Sequence, residues 1–179
     1  MNHFYDKIFG FFNFQDVYSD MVNKFDTNSH FIEIGGFLGC SSVYMGVEIF
    51  NSGKNIKFDV IDKWDFNWKM EDGREVYTYT EFLKNIEPLK EIINPIKAFS
   101  KDIVNNYEDE TIDFIFIDAD HEYDGVMNDI KIWYPKVKKN GIIAGHDYVE
   151  SFSGVIKSVK EYFNDDFEVK GTSWIHNKK

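Results

Sequence analysis

Short apolar runs alternate with helix-spaced segments along most of the chain. Phe31–Ile34 is a brief run carrying one acid, Lys57–Ile61 a second that ends at Asp62, and Asp113–Ile117 the clearest buried strand. Gly141–Ala144 adds another, and Pro95–Phe99 a weaker one. Between them, apolar residues recur at helical spacing. Ser41–Phe50 is stopped by Asn51-Ser52-Gly53, with Ser41 or Ser42 as the expected cap. Glu81–Ile93 is interrupted by Pro88, Asp124–Tyr134 is stopped by Pro135, and Gly154–Phe163 follows. Asp102–Tyr107 reads as a short helix or turn, and residues 63–80 as an irregular loop. Phe167–Lys170 and Ser173–His176 read as a closing antiparallel pair around Gly171. Strand–helix alternation of this kind specifies an α/β protein with a doubly wound, mostly parallel sheet and helices on both faces. One domain over residues 1–179 is expected, with 1–30 as an N-terminal helical or lid segment and 31–179 as the core.

Composition narrows the partners. Net charge is −11 and no basic block occurs, which disfavours a nucleic-acid substrate. No apolar run approaches the length that spans a bilayer, so no membrane partner is expected. Cys40 is the only cysteine, which excludes an internal disulfide and a cysteine zinc site and fits a reducing, cytoplasmic setting. The segment Met1–Phe14 contains Asp6 and lacks a signal-peptide layout.

The first chemical constellation follows the first strand. Glu33-Ile34-Gly35-Gly36-Phe37-Leu38-Gly39-Cys40-Ser41 places a glycine-rich turn between strand and helix, the arrangement that builds a nucleotide-sized crevice in this fold. A carboxylate there would repel a diphosphate. It suits a ligand with a cationic end and hydroxyls, and S-adenosylmethionine has an ammonium, a sulfonium and a ribose. Phe37 stands where the dinucleotide fingerprint needs glycine, which counts against NAD or FAD. Asp62, at the end of the second strand, is placed to accept two ribose hydroxyls, and Ser100 follows the third strand into the same crevice. Taken singly, these are also ordinary strand-end acids and turn glycines; their joint placement is what suggests a ligand.

The second constellation comprises Ile117-Asp118-Ala119-Asp120-His121 and Gly145-His146-Asp147-Tyr148. Strands four and five neighbour one another in this fold, so Asp118, His146 and Asp147 are expected to converge. Two carboxylates and an imidazole suit a divalent cation such as Mg or Mn. His121 or His146 can instead serve as a metal-free general base. The plain alternative is that Asp118 and Asp147 cap the helices that follow.

The motifs Ile117–Tyr123 and Gly145–Tyr148 make the chain similar to class I S-adenosylmethionine-dependent methyltransferases, most of all to small bacterial and phage-type members. That resemblance covers nearly all of the chain. It implies a Rossmann-like seven-stranded sheet with a terminal antiparallel pair, and cofactor bound by Glu33, Gly35, Gly36, Gly39, Ser41, Asp62, Lys63, Ser100 and Asp118. It implies a metal at Asp118, His146 and Asp147, where catechol- and caffeoyl-type O-methyltransferases carry Asp, Asp and Asn; His146 departs from that set. His121 sits where some of those enzymes have a lysine near the acceptor, so Asp118, His121 and His146 are the catalytic candidates. Methyl transfer to a small-molecule or sugar hydroxyl is the expected reaction. A nucleotide-cofactor oxidoreductase or a non-catalytic cofactor-binding relative are the alternatives. The aromatic groups Phe4–Phe14 and Trp64–Tyr79 are candidates for a lid over the acceptor or for cover of the sheet's helical layer or a homodimer contact, the cover or contact being favoured for the first group, and Trp64 is a candidate for the adenine pocket.

Overall fold

Alternate side chains of each central strand enter opposite helical layers, and this period of two organises the molecule. The computed structural model describes residues 1–179. Its strands are β1 (His30–Ile34), β2 (Lys57–Asp62), β3 (Asn67–Lys69), β4 (Glu75–Tyr77), β5 (Ile93–Lys97), β6 (Ile112–Ile117), β7 (Val137–Gly145), β8 (Glu168–Lys170) and β9 (Ser173–Asn177). The helices are α1 (Gln15–Lys24), α2 (Cys40–Ser52), α3 (Thr78–Ile86), α4 (Ser100–Ile103), α5 (Tyr123–Trp133) and α6 (Ser153–Phe163). Seven strands form one sheet in the order β5-β2-β1-β6-β7-β9-β8. The first five in that order pair in parallel, while β9 runs antiparallel to both β7 and β8. The chain runs outward from β1 to β2 and β5, then returns to place β6 on the other side of β1. Such a reversal opens a crevice at the carboxyl ends of the strands.

Phe31, Phe58, Phe114 and Phe116 face α1, α2 and α3, meeting Tyr18, Val43, Val47 and Phe82. Ile32, Ile34, Ile115, Ile117 and Ile143 face α5 and α6, where Ile130, Trp133, Val155 and Val159 complete a second core. No helix is long and apolar enough to cross a membrane.

Four local expectations change. Residues 63–80 are not simply a loop: β3 and β4 form a hairpin, with Asn67 opposite Tyr77, and α3 already begins at Thr78. Strands of three largely exposed residues leave too little alternation to show in sequence. The helix expected through Ile93 ends at Ile86, because Pro88 lacks an N–H donor and is accommodated in a single 3₁₀ turn, Glu87–Leu89. Ile93 then opens β5, which tolerates Pro95 as a sheet edge. Finally, neither Ser41 nor Ser42 caps α2; Gly39 holds that position with φ 92°, and both hydroxyls point to Glu33 instead.

Candidate active site

A cavity of about 920 Å³ lies over the carboxyl ends of β1, β2, β6 and β7. Gly35, Gly36, Asp62, Lys63 and Ser100 line one end, and Asp118, His121 and Asp147 the other. Register explains the second group. Ile117 pairs with Gly145, so Asp118 and His146 emerge side by side one residue beyond.

Gly35 and Gly36 are required by close packing. A Cβ at Gly35, whose φ is 100°, would lie 1.9 Å from the Asp118 carbonyl oxygen. One at Gly36 would meet Val60 at 2.7 Å and Trp64 at 2.8 Å. The Asp62 carboxylate secures the turn from beneath. Its Oδ2 accepts the backbone amides of Gly36 at 3.0 Å and Phe37 at 2.9 Å, and its Oδ1 accepts that of Trp64 at 2.9 Å. Phe37 and Trp64 sit at φ 44° and 40°, an uncommon region for bulky residues, held there by these bonds and by Trp64 Nε1 donating to the Phe37 carbonyl at 2.7 Å. The turn amides of Gly36 and Phe37 therefore serve Asp62.

Glu33 is corrected in the same way. Its side chain points into the α1–α2 layer, 1% exposed, behind the cavity wall. Tyr18 Oη donates to Oε1 at 2.8 Å, Ser41 Oγ to Oε1 at 2.5 Å, and Ser42 Oγ to Oε2. Burial raises its pKa from 4.5 to about 7, against the opposing pull of the three hydroxyls. Glu33 thus organises the start of α2 from within, and Ser41 reaches the cavity while turned towards that acid.

The acidic cluster also differs from the expected trio. Asp118, His121 and Asp147 offer ligand atoms that lie within 4.8 Å of one another. His121 Nε2 is 2.7 Å from Asp147 Oδ2, and its ring stacks on Phe152 at 4.4 Å. His146, expected as a ligand or base, lines the cavity but is largely buried, 7% exposed. Its ring packs on Phe14 at 4.7 Å, with Nδ1 3.2 Å from Asp147 Oδ1 and 3.7 Å from Asp118 Oδ1. Its Nε2 faces Asn13 Oδ1 and Thr172 Oγ1, both at 2.8 Å. Burial works against a charged ring, but the two carboxylates outweigh it and raise the pKa from 6.5 to about 9. Both ring nitrogens thus have protein partners, and the ring bridges Asp118 and Asp147 on one side and Asn13 and Thr172 on the other. Burial opposes ionisation of Asp147 as well, yet hydrogen bonds and charge from His146 and His121 hold its carboxyl below the usual range.

Lys63 lines the cavity 3.5 Å from Asp65, and Ser100 donates to Asp129. Trp64 is fully buried beneath the turn against Phe82 and Tyr79, so it does not shape the cavity surface. Phe66 and Trp68 of the hairpin region do line it, together with Phe11 and Phe12 of the N-terminal segment. Asn13, Asp129, Phe152 and Thr172 escape sequence reasoning. The dense N-terminal aromatics were the one available signal; nothing local marks Thr172, which meets His146 only through the β7–β9 pairing.

A parallel sheet reversed at β1, a glycine turn held by a strand-end acid, and an acidic cluster across one cavity define a class I methyltransferase fold. A family model described as a methyltransferase domain matches residues 32–148, and the chain belongs to that class I S-adenosylmethionine-dependent methyltransferase family. Similar solved structures include a protein from Staphylococcus aureus provisionally assigned as a caffeoyl-CoA O-methyltransferase, at 14% identity and TM-score 0.69, covering 97% of this chain and 87% of that one. The O-methyltransferase NovP aligns at 16% identity and TM-score 0.68, covering 92% and 79% respectively. A provisionally assigned methyltransferase from Streptococcus mutans, solved in complex with SAH, aligns at 14% identity and TM-score 0.64, covering 95% and 100%. An uncharacterised protein of Acanthamoeba polyphaga mimivirus is 49% identical over 37 residues, a stretch spanning 21% of this chain and 17% of that protein. Family membership sets aside the oxidoreductase alternative.

Proposed function

We propose that this chain transfers the methyl group of S-adenosylmethionine to a hydroxyl of a small-molecule acceptor, a phenol or a sugar. The observation that carries this is a single cavity with Asp62 and the glycine turn at one end and Asp118, His121 and Asp147 at the other. O-methyltransferases among the structural neighbours support an oxygen acceptor. The nucleoside supplies an activated methyl on sulfur. Asp62, with three of its roughly four accepting sites taken by backbone amides, holds one ribose hydroxyl through Oδ1. Gly35 and Gly36 line the same end of the cavity, where the methionine part would lie.

Displacement at the methyl carbon needs alignment and loss of the acceptor's proton, and little covalent chemistry from the protein. His121 sits on the cavity wall with one ring nitrogen held by Asp147, which orients the other as the base for an acceptor hydroxyl. An oxygen–oxygen–nitrogen donor set at this spacing also fits a hard or borderline divalent cation, which when bound would acidify and orient a hydroxyl. His146 keeps Asp118 and Asp147 in place through its charge.

The test has two parts. Calorimetry should show S-adenosylmethionine and S-adenosylhomocysteine binding to the wild type, with Asp62→Ala weakening both at least tenfold, about the worth of one charge-assisted hydrogen bond. In an acceptor screen, Asp118→Ala and Asp147→Ala should abolish turnover, assayed with and without chelator. Absence of nucleoside binding at millimolar concentration overturns the cofactor reading; full activity in both variants overturns the role of the cluster.

A further inference from the structure

Residues Phe9, Gly10, Phe11 and Phe12 are held unlike the rest of the chain. None of the four takes part in a backbone–backbone hydrogen bond, and the one polar bond on the stretch is long, from Gln15 Nε2 to the Phe12 carbonyl at 3.5 Å. Both flanks are pinned. Cys40 Sγ donates to the Tyr5 carbonyl at 3.4 Å on one side, and Asn13 Oδ1 accepts from Thr172 Oγ1 at 2.9 Å on the other. Phe11 between them is 70% exposed. A stretch with so few backbone bonds belongs to the least stable part of a fold.

Aromatic rings from three distant segments hold it down. Phe11 meets Phe37 at 6.4 Å and Trp68 at 6.5 Å, and Phe9 meets the same two rings at 6.3 Å and 5.8 Å. Phe37 and Trp68 meet each other edge to face at 5.0 Å. Their side of the clasp is fixed. Asp62 and Trp64 tie the Phe37 backbone, and Thr78 roots the hairpin by donating its amide and hydroxyl to the Phe66 carbonyl at 3.3 Å and 2.8 Å. Phe11, Phe37 and Trp68 line the cavity, whereas Phe9 does not. The space beneath measures about 920 Å³ with these rings already in contact.

Resting on the proposed cofactor reading, we propose that residues 9–12 are a flap closed by ring contacts alone, and that the nucleoside enters and leaves only when Phe9 and Phe11 part from Phe37 and Trp68. The cavity keeps its volume under the closed rings, so an occupant does not hold them apart. The clasp is then equally strong in empty and occupied protein, and its strength cancels from the affinity. It does not cancel from the rates, because entry and exit both wait on opening. Each ring pair is worth a few-fold to about tenfold in that opening equilibrium. Two plainer roles leave other signatures. Rings that only pack change neither rate, and rings that only touch the ligand change release alone.

Surface plasmon resonance with S-adenosylhomocysteine reads both rates. Phe9→Ala removes two ring pairs of the clasp without altering a cavity-lining side chain. It should speed association and release together, each by about tenfold, and change the affinity by less than about twofold. Phe11→Ala should do the same, with any further gain confined to release. Faster release alone in both variants, with affinity lost in proportion, overturns the flap and makes the rings ligand contacts. Unchanged rates in folded Phe9→Ala overturn it as well. If that variant does not fold, Phe9→Leu, which keeps apolar cover without a ring, is read in the same way. Failure of the wild type to bind S-adenosylhomocysteine or S-adenosylmethionine in calorimetry removes the cofactor reading and this one with it, whereas binding with rates untouched by the variants removes the flap alone.

Discussion

Glu33 should make this protein less stable as pH rises through neutrality. Its carboxyl is sealed between α1 and α2 and held at about pH 7 in the folded chain, against 4.5 when exposed. Below 4.5 the group is protonated whether folded or not and contributes no pH dependence. Between 4.5 and 7 the unfolded chain releases the proton and the folded chain keeps it, so stability falls with pH; above 7 the loss is complete. The full difference corresponds to about 3 kcal/mol, and the part between pH 5 and pH 8 to about 2.5 kcal/mol. Glu33→Gln reproduces the neutral acid in shape and hydrogen bonding and cannot ionise. Its stability relative to the wild type should therefore rise by about 2.5 kcal/mol from pH 5 to pH 8. His146 titrates in both proteins and cancels in the comparison. Urea unfolding followed by fluorescence of the buried Trp64, Trp133 and Trp174 measures the difference at each pH. A flat difference across that range refutes the reasoning, because burial would then not control the ionisation of this group.

Two further outcomes follow from close contacts. Gly35→Ala places a methyl 1.9 Å from the Asp118 carbonyl oxygen at φ 100°, so denaturant unfolding should show a loss above about 3 kcal/mol or no folded protein, whereas Gly53→Ala, with φ 67° and open space, should lose only about 1–2 kcal/mol. Lys54 Nζ donates to the carbonyls of Val22 at 2.7 Å, Asn23 at 3.3 Å and Phe25 at 2.7 Å, closing the end of α1; Lys54→Met should cost about 2 kcal/mol, with hydrogen exchange fastest in the last turn of that helix.

Much of this molecule is decided locally. Mostly apolar runs of five or six residues, ending at Ile34, Asp62 and Ile117, suffice to specify parallel strands, because a strand buried on both faces accepts a polar side chain only where partners hold it, as Tyr18 and Ser41 hold Glu33. The same runs place Asp62, Asp118 and Asp147 at the carboxyl ends, where this fold opens a crevice. What each side chain does there is not local. Glu33 looks in sequence like a site residue, but strand alternation turns it into the α1 layer, where Tyr18, at a separation of fifteen residues, occupies the acid. His146 does line the cavity, but Asn13 and Thr172, distant in sequence, occupy its ring. His121, twenty-six residues before Asp147, joins the cluster only because the segments that follow β6 and β7 meet. Asp129 meets the Ser100 hydroxyl for the same reason, across twenty-nine residues of sequence. Hydrophobic periodicity is written residue by residue, so the sequence alone determined the layers; charge and hydrogen bonding depend on which groups finally meet, and only the tertiary structure decided that.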